Sequence, residues 1–294
     1  MNKNGYSRKD FLKILGLGAA ALALPIPNMD IFANSKYKPK IGLQLYTVRK
    51  QIEKDFEATM KKVAESGYLG IESYTLPASV TLEHAATVFK GLSLEVFSMH
   101  SELPVGKDID LALKMADVYH CNHLVYHGWP QADKYKDIDS TKHMVEVYND
   151  TATFLKTKGI SFGLHNHWWE FEKTSFGIIP AYYLKEHLDK DIFFEIDTYW
   201  AKTAGQDPAK ILKDFGKRAP FLHIKDGPAK KGDEGYKQVP VGDGVMNFTA
   251  IAHAGGSNIK WMIVEFDEYD KNIFDGIDKS YKYLVKNGFG TGRI

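Results

Sequence analysis

The stretch LHNHWWEF carries His165, Asn166, His167 and Glu170 directly after the short apolar run ISFGL. Donor-type groups therefore sit where a buried strand stops. The arrangement recurs in FFEIDTYW with Asp197, in FLHIKDG with His223 and Lys225, and in WMIVEFDEY with Glu265. Imidazoles and carboxylates gathered at one place make a nitrogen/oxygen donor set for a divalent metal. His100 in SMH and His127 in YHG also follow strand-like runs, where they could orient hydroxyls or move protons. Each has a bland alternative: a single histidine is as often a satisfied core residue, and Lys225 could simply pair with a buried acid. Side chains alternate along a strand, so Glu195 shares a face with Asp197, and His165 with His167 if the strand persists that far. A carboxylate facing inward must be paired, hydrogen-bonded or metal-bound.

Only a fold that gathers strand ends on one face can join groups so distant in sequence. From Lys40 onward, β-rich runs alternate with helical patterns, which is the mark of repeated βα units. The strands are read as IGLQLYTV, YLGIESY, LEVFSMH, HLVYHG, ISFGL, IFFEID, FLHIK and WMIVEF. Between them, helices are expected near 54–66, 82–89, 109–119, 140–158, 180–188, 208–218, 247–254 and 272–287, with Thr81 and Asp207 as N-caps. Eight units in this length fit a single-domain (β/α)8 TIM barrel over residues 40–294. A doubly wound open sheet would place a Gly-rich phosphate loop after its first strand, and none follows strand 1.

Composition excludes less than it permits. With 38 basic and 37 acidic residues the net charge is +1, which gives no reason to expect nucleic acid as a partner. The one cysteine, Cys121, forbids an intramolecular disulfide and is expected to be a buried, inert thiol. Residues 1–33 read as an export signal: SRKDFLK precedes the apolar run ILGLGAAALALP, with Arg8 and Lys9 where a twin-arginine signal has two arginines. A cytosolic protein with an apolar N-terminal helix is the competing reading. Residues 34–39 form a short linker, cleavage falls near Ala33, and no other stretch is apolar enough to span a membrane. The expectation is an exported, periplasmic protein with no stable membrane span after signal removal.

The ordered motifs GLQLYTVR, GYLGIE, SMH, LHNHWWEF, EIDTYWAKTAGQDPA, LHIKDG, VPVGDG and IVEFDE resemble those of the xylose-isomerase-like TIM barrel superfamily, the sugar phosphate isomerase/epimerase group, from about Lys40 to Asn287. The resemblance implies one divalent ion, Mn2+ favoured with Co2+, Zn2+ or Fe2+ as alternatives, held at positions matching Asp197, His223 and Glu265. On strand five many members carry a glutamate where this chain has His165. Whether His165, His167 or Glu170 completes the metal set stays open. Endonuclease IV resembles this chain at His100, His127, Asp197, His223 and Glu265, but a further histidine of its cluster is replaced by Trp200.

The chemistry implied is proton abstraction next to a sugar carbonyl, with the enediolate stabilised by the ion and by Lys225. Glu265 or Glu170 would take the proton, and His100, His127 or His167 would return it. Tyr46, Trp129, Trp168, Trp169, Tyr199 and Trp200 could stack on sugar faces; Tyr46, Trp169 and Trp200, with His167, are the expected substrate contacts. The partner is a small-molecule sugar or glycoside, and a homo-oligomer is left open. Reprotonation makes an isomerase or epimerase, whereas loss of a β-substituent makes a 3-keto-glycoside lyase. The alternatives are a metal-assisted hydrolase of a phosphate or glycosidic bond and a non-catalytic sugar-binding protein.

Overall fold

In the computed structural model, which describes residues 38–131 and 133–293, eight parallel strands pair in sequence order and β8 returns to β1, closing a (β/α)8 barrel. The strands are β1 (Lys40–Gln44), β2 (Gly70–Ser73), β3 (Glu95–Ser101), β4 (His123–Tyr126), β5 (Ser161–His165), β6 (Phe193–Asp197), β7 (Phe221–Ile224) and β8 (Trp261–Val264). The helices are α1 (Arg49–Ile52), α2 (Phe56–Glu65), α3 (Leu82–Gly91), α4 (Asp108–Tyr119), α5 (Ile138–Thr157), α6 (Pro180–His187), α7 (Thr198–Thr203), α8 (Pro208–Phe215), α9 (Phe248–Gly255) and α10 (Ile273–Lys286). The proposed signal and most of the linker lie outside the described residues. Among the described residues no helix is long and apolar enough to cross a membrane.

Alternation along the strands stacks the barrel interior in layers. Phe97, Val125, Phe193, Phe221, Trp261 and Ile263 form an apolar floor towards the strand N-termini, where Phe97 stacks on Trp261 at 3.9 Å. This floor needs strand positions without side chains. A Cβ on Gly42 would stand 2.5 Å from the Phe97 ring, and one on Gly163 would stand 2.3 Å from Phe193. Two residues further along each strand the inward positions become polar: Gln44, Glu72, His165, Glu195 and His223, all buried. On β3 the register shifts between Ile71 and Glu72, leaving Phe97 as an extra residue. The shift is a β-bulge, and it lets both Phe97 and His100 serve the interior although they are three apart.

One local expectation needs correction. Strand 1 stops at Gln44 instead of running to Val48, because the Gln44 side chain accepts a hydrogen bond from Tyr46 N and caps a 3-10 turn over Leu45–Val48, followed by α1. The DTYW segment is helical, since Asp197 Oδ1 accepts from Trp200 N and caps α7. The Asp226 carboxylate accepts from the backbone amides of Gly227, Gly242, Gly244 and Met246 and ties down the β7–α9 loop. Thr81 caps α3 as expected, and Asp207 with Pro208 opens α8. Cys121 is a buried free thiol whose pKa burial pushes up to about 11.

Candidate active site

Strand register sets the centre of the site: His165 lies opposite Glu195, and Asp197 opposite His223. His223 is fully buried and spends both ring nitrogens on carboxylates. Nδ1 is 2.6 Å from Glu265 Oε2, while Nε2 is 2.8 Å from Glu72 Oε1 and 3.0 Å from Glu195 Oε1. Burial would discharge this imidazole, but Glu195, Glu265 and Glu72 outweigh it and hold His223 protonated well above the usual histidine range. Gln44 Nε2 donates to Glu72 Oε1 at 2.6 Å. His165 Nδ1 stands 3.2 Å from Glu195 Oε1, and His100 Nε2 stands 3.5 Å from the same oxygen. Three imidazoles thus surround one carboxylate oxygen.

Protonation in this layer is asymmetric. Burial raises Glu195 well above the carboxylate range, and the neighbouring Glu72 charge adds to the rise. Glu72 also suffers burial, but His100 and His223 pull it down to about 2. One carboxyl therefore keeps its proton while the other is ionised, as expected for two acids sharing a site. Burial lowers His100 to about 3 and holds His165 and His167 well below the usual range, so all three are neutral with a lone pair available.

Above this layer stands Lys225, only 2% exposed. Its Nζ lies 2.8 Å from Glu265 Oε2, 2.8 Å from Asp267 Oδ2 and 3.0 Å from Asp197 Oδ2. The pairing proposed as the structural alternative for Lys225 is thus present. Burial would discharge the amine, but Asp197, Asp267 and Glu265 hold it protonated. The same two cations, Lys225 and His223, overcome burial at Glu265 and keep it ionised well below its ordinary range. Burial raises Asp197 to about 6, partly offset by Lys225. Asn166 clamps the Asp197 backbone, accepting from its N at 2.9 Å and donating to its O at 3.2 Å.

These groups meet a pocket of about 260 Å³ at the strand C-termini. Of the expected site residues, Tyr46, His100, His127, His165, His167, Trp200, Lys225 and Glu265 line it. Asp197 and His223 lie directly beneath its floor through their contacts with Lys225 and Glu265. Two others of the expected residues are not among those lining this pocket. Glu170 does not reach the pocket: its Oε2 accepts from His167 N at 2.9 Å, and the side chain lines a small neighbouring cavity with Tyr126 and Tyr135. Burial raises its carboxyl to about 7. Trp169 is not a pocket wall either, because its ring stacks 4.3 Å behind His167 and steadies that imidazole. Arg49 is committed to the Tyr46 ring at 3.7 Å and to Glu268 at 2.7 Å.

Sequence reasoning missed several members. Glu72 ends the strand-like run GYLGIE, the signal by which the sequence marks it, and Glu195 shares a face with Asp197. Tyr236, Asp267 and Glu268 also line the pocket, and Gln238 donates to Asp267 Oδ2 at 2.7 Å. A larger cavity of about 760 Å³ opens at the opposite end, around Phe97, His123 and Trp261. It lacks the strand-end acids, so the smaller pocket is the chemical one.

The donors fit a divalent ion. Ligand atoms of His165, Asp197 and His223 lie within 4.8 Å of one another, and among the described residues His100, His165 and Glu195, and Glu72, Glu195 and His223, form two further such groups. Glu72 Oε2, Glu195 Oε2 and Asp197 Oδ2 are buried without a hydrogen-bond partner; Lys225 approaches Asp197 Oδ2 outside hydrogen-bonding geometry. Unsatisfied buried carboxylate oxygens beside neutral imidazoles suit a first-row transition ion.

A family model described as xylose isomerase-like TIM barrel matches residues 100–285. No curated protein matches the chain. A sugar phosphate isomerase/epimerase from Parabacteroides distasonis ATCC 8503 superposes with a TM-score of 0.71 at 24% identity, covering 90% of this chain and 100% of its own. A probable 3-DHS dehydratase from Bacillus anthracis matches with a TM-score of 0.66 at 15% identity, covering 84% and 98%. An L-ribulose 3-epimerase matches with a TM-score of 0.65 at 14% identity, covering 85% and 94%. At these identities the likeness carries the fold.

Proposed function

The chain belongs to the xylose isomerase-like TIM barrel family, and on that basis we propose that it is an enzyme of the sugar isomerase/epimerase type, abstracting a proton next to a carbonyl. The observation that carries this reading is the contact between the Lys225 ammonium and the Glu265 carboxylate at the base of an aromatic-walled pocket. A base and an electrophile held together can move a proton and neutralise the charge that develops.

The sugar lies against Tyr46, Trp129, Trp200 and Tyr236 with its carbonyl oxygen towards Lys225. Glu265 accepts the proton from the adjacent carbon. Lys225 faces the developing enediolate oxygen, with the His223 ring behind Glu265. Glu265, now carrying the abstracted proton, returns it to carbon or passes it to a departing oxygen, while His127 and His167 on the pocket wall orient the neighbouring hydroxyls. A divalent ion would be held by His165, Asp197 and His223 with Glu265, the His223 ring giving up a proton to bind it, and would supply Lewis-acid polarisation of the carbonyl. Similarity to both an epimerase and a dehydratase suits a common abstraction step followed by either reprotonation or elimination. The basic and apolar pattern of residues 7–25 supports action outside the cytoplasm, where glycosides are encountered.

The test is solvent deuterium uptake by NMR on a panel of ketoses and 3-keto-sugars, with and without a chelator. We expect exchange at the carbon beside the carbonyl, reduced at least tenfold by chelation. Absence of exchange on every substrate, after reconstitution with manganese, cobalt, zinc and iron, would sink the proposal.

A further inference from the structure

Beside the sugar pocket lies a second cavity of about 280 Å³, bounded by the loop from β2 to α3 and by α4. Its character differs. Leu76, Val80 and Leu82 form one side, and Leu111 and Met115 of α4 form the other. Met115 is buried, whereas Leu111 is 56% exposed at the edge. A lone exposed leucine needs no explanation, but this one continues an apolar surface that leads inward.

The two cavities share a wall. Tyr74, His100 and Glu102 line both. Each cavity alone falls below the usual range for small-molecule sites, roughly 300–1,000 Å³, and the two joined fall within it. A free sugar is hydroxylated on all sides and has nothing to place among leucines and a methionine. A sugar bearing an apolar group through a glycosidic oxygen has one part for each cavity.

We propose that the second cavity is an aglycone subsite, so that the substrate class is a keto-glycoside with an apolar or aromatic aglycone; this rests on the proton-abstraction reading above. The reaction is then an elimination. Glu265 takes the proton from the carbon between the carbonyl and the anomeric carbon. The C–H pair becomes the new carbon–carbon double bond, the bond from the anomeric carbon to the glycosidic oxygen breaks, and that oxygen leaves with its electron pair. It takes up the proton to give an alcohol or phenol, and the sugar is released as the unsaturated ketone. No oxidant or reductant is required.

The test compares nitrophenyl and methyl 3-keto-glucosides on the wild type and on Leu111→Glu, a change on an exposed helical position away from the reacting groups. Free 3-keto-glucose exchange in deuterium oxide reports integrity of the sugar pocket. We expect the wild type to show at least a tenfold lower KM for the nitrophenyl than for the methyl glycoside. Leu111→Glu should raise the nitrophenyl KM five- to tenfold and leave both the methyl KM and free-sugar exchange unchanged. Equal KM values for the two glycosides in the wild type, or equal effects of Leu111→Glu on both, would overturn the subsite while leaving abstraction intact. Loss of exchange on the free sugar in the wild type would instead overturn the abstraction reading and the subsite with it.

Discussion

At the scale of single residues, burial and partnership decide which acids are charged, and Glu170 isolates the effect. Its carboxyl, raised to about 7 by burial, accepts one backbone hydrogen bond and lines no part of the sugar pocket. Because the folded-state value lies above the ordinary carboxylate value, the folded chain holds a proton between about pH 4.5 and 7 that the unfolded chain has released. Stability contributed by this group is present below that window and lost as pH rises through it. Glu170→Gln keeps the acceptor for His167 N and cannot titrate. Urea unfolding should show the variant gaining on the wild type between pH 5 and 8, by on the order of 3 kcal/mol. A difference that stays constant with pH contradicts this. The residue scale also marks what the sequence concealed. Asp197, His223 and Glu265 are legible because each falls on a position matched to a metal ligand of the resembled family, whereas Glu72 ends an equally strand-like run, GYLGIE, with no such match. Its partner His223 is 151 residues away.

At the scale of elements, the inward alternation was legible wherever strands are regular, as in FFEID and FLHIK. It was not legible where a side chain reset the backbone. Gln44 ends β1 by capping the following turn, and Asp197 starts a helix directly after β6, ahead of the one expected from 208. The bulge on β3 was equally hidden, since a register shift depends on the partner strand. The apolar floor makes a direct prediction. Gly163→Ala would place a methyl group 2.3 Å from the Phe193 ring, which is enclosed by neighbouring aromatic residues. Overpacking of this kind costs about 1–3 kcal/mol. Thermal denaturation should register that loss, and Phe193→Leu in the same chain should recover part of it. An unchanged melting temperature in the single variant would show that the floor is looser than described.

At the scale of the whole molecule, the barrel was readable from eight alternating units because consecutive βα units have one easy way to close. Closure then brings β2, β5, β6, β7 and β8 to a common mouth, joining residues that sequence separation alone leaves unrelated. The reading of the first 33 residues as an export signal belongs to this scale too. Fractionation of cells expressing the full chain should find a shortened protein outside the cytoplasm, and Arg8→Gln with Lys9→Gln should retain it inside. Full-length protein confined to the cytoplasm in both cases would remove the export proposal without touching the barrel.

The central claim is that Glu265, held ionised between Lys225 and His223, removes a proton next to a sugar carbonyl. The decisive measurement is the rate of hydrogen–deuterium exchange at that carbon of 3-keto-glucose, for wild type and Glu265→Gln at matched metal content. The account predicts exchange in the wild type and a loss of at least 100-fold in the variant, on the order of 3 kcal/mol in the barrier. Exchange that persists at the wild-type rate in Glu265→Gln would contradict it.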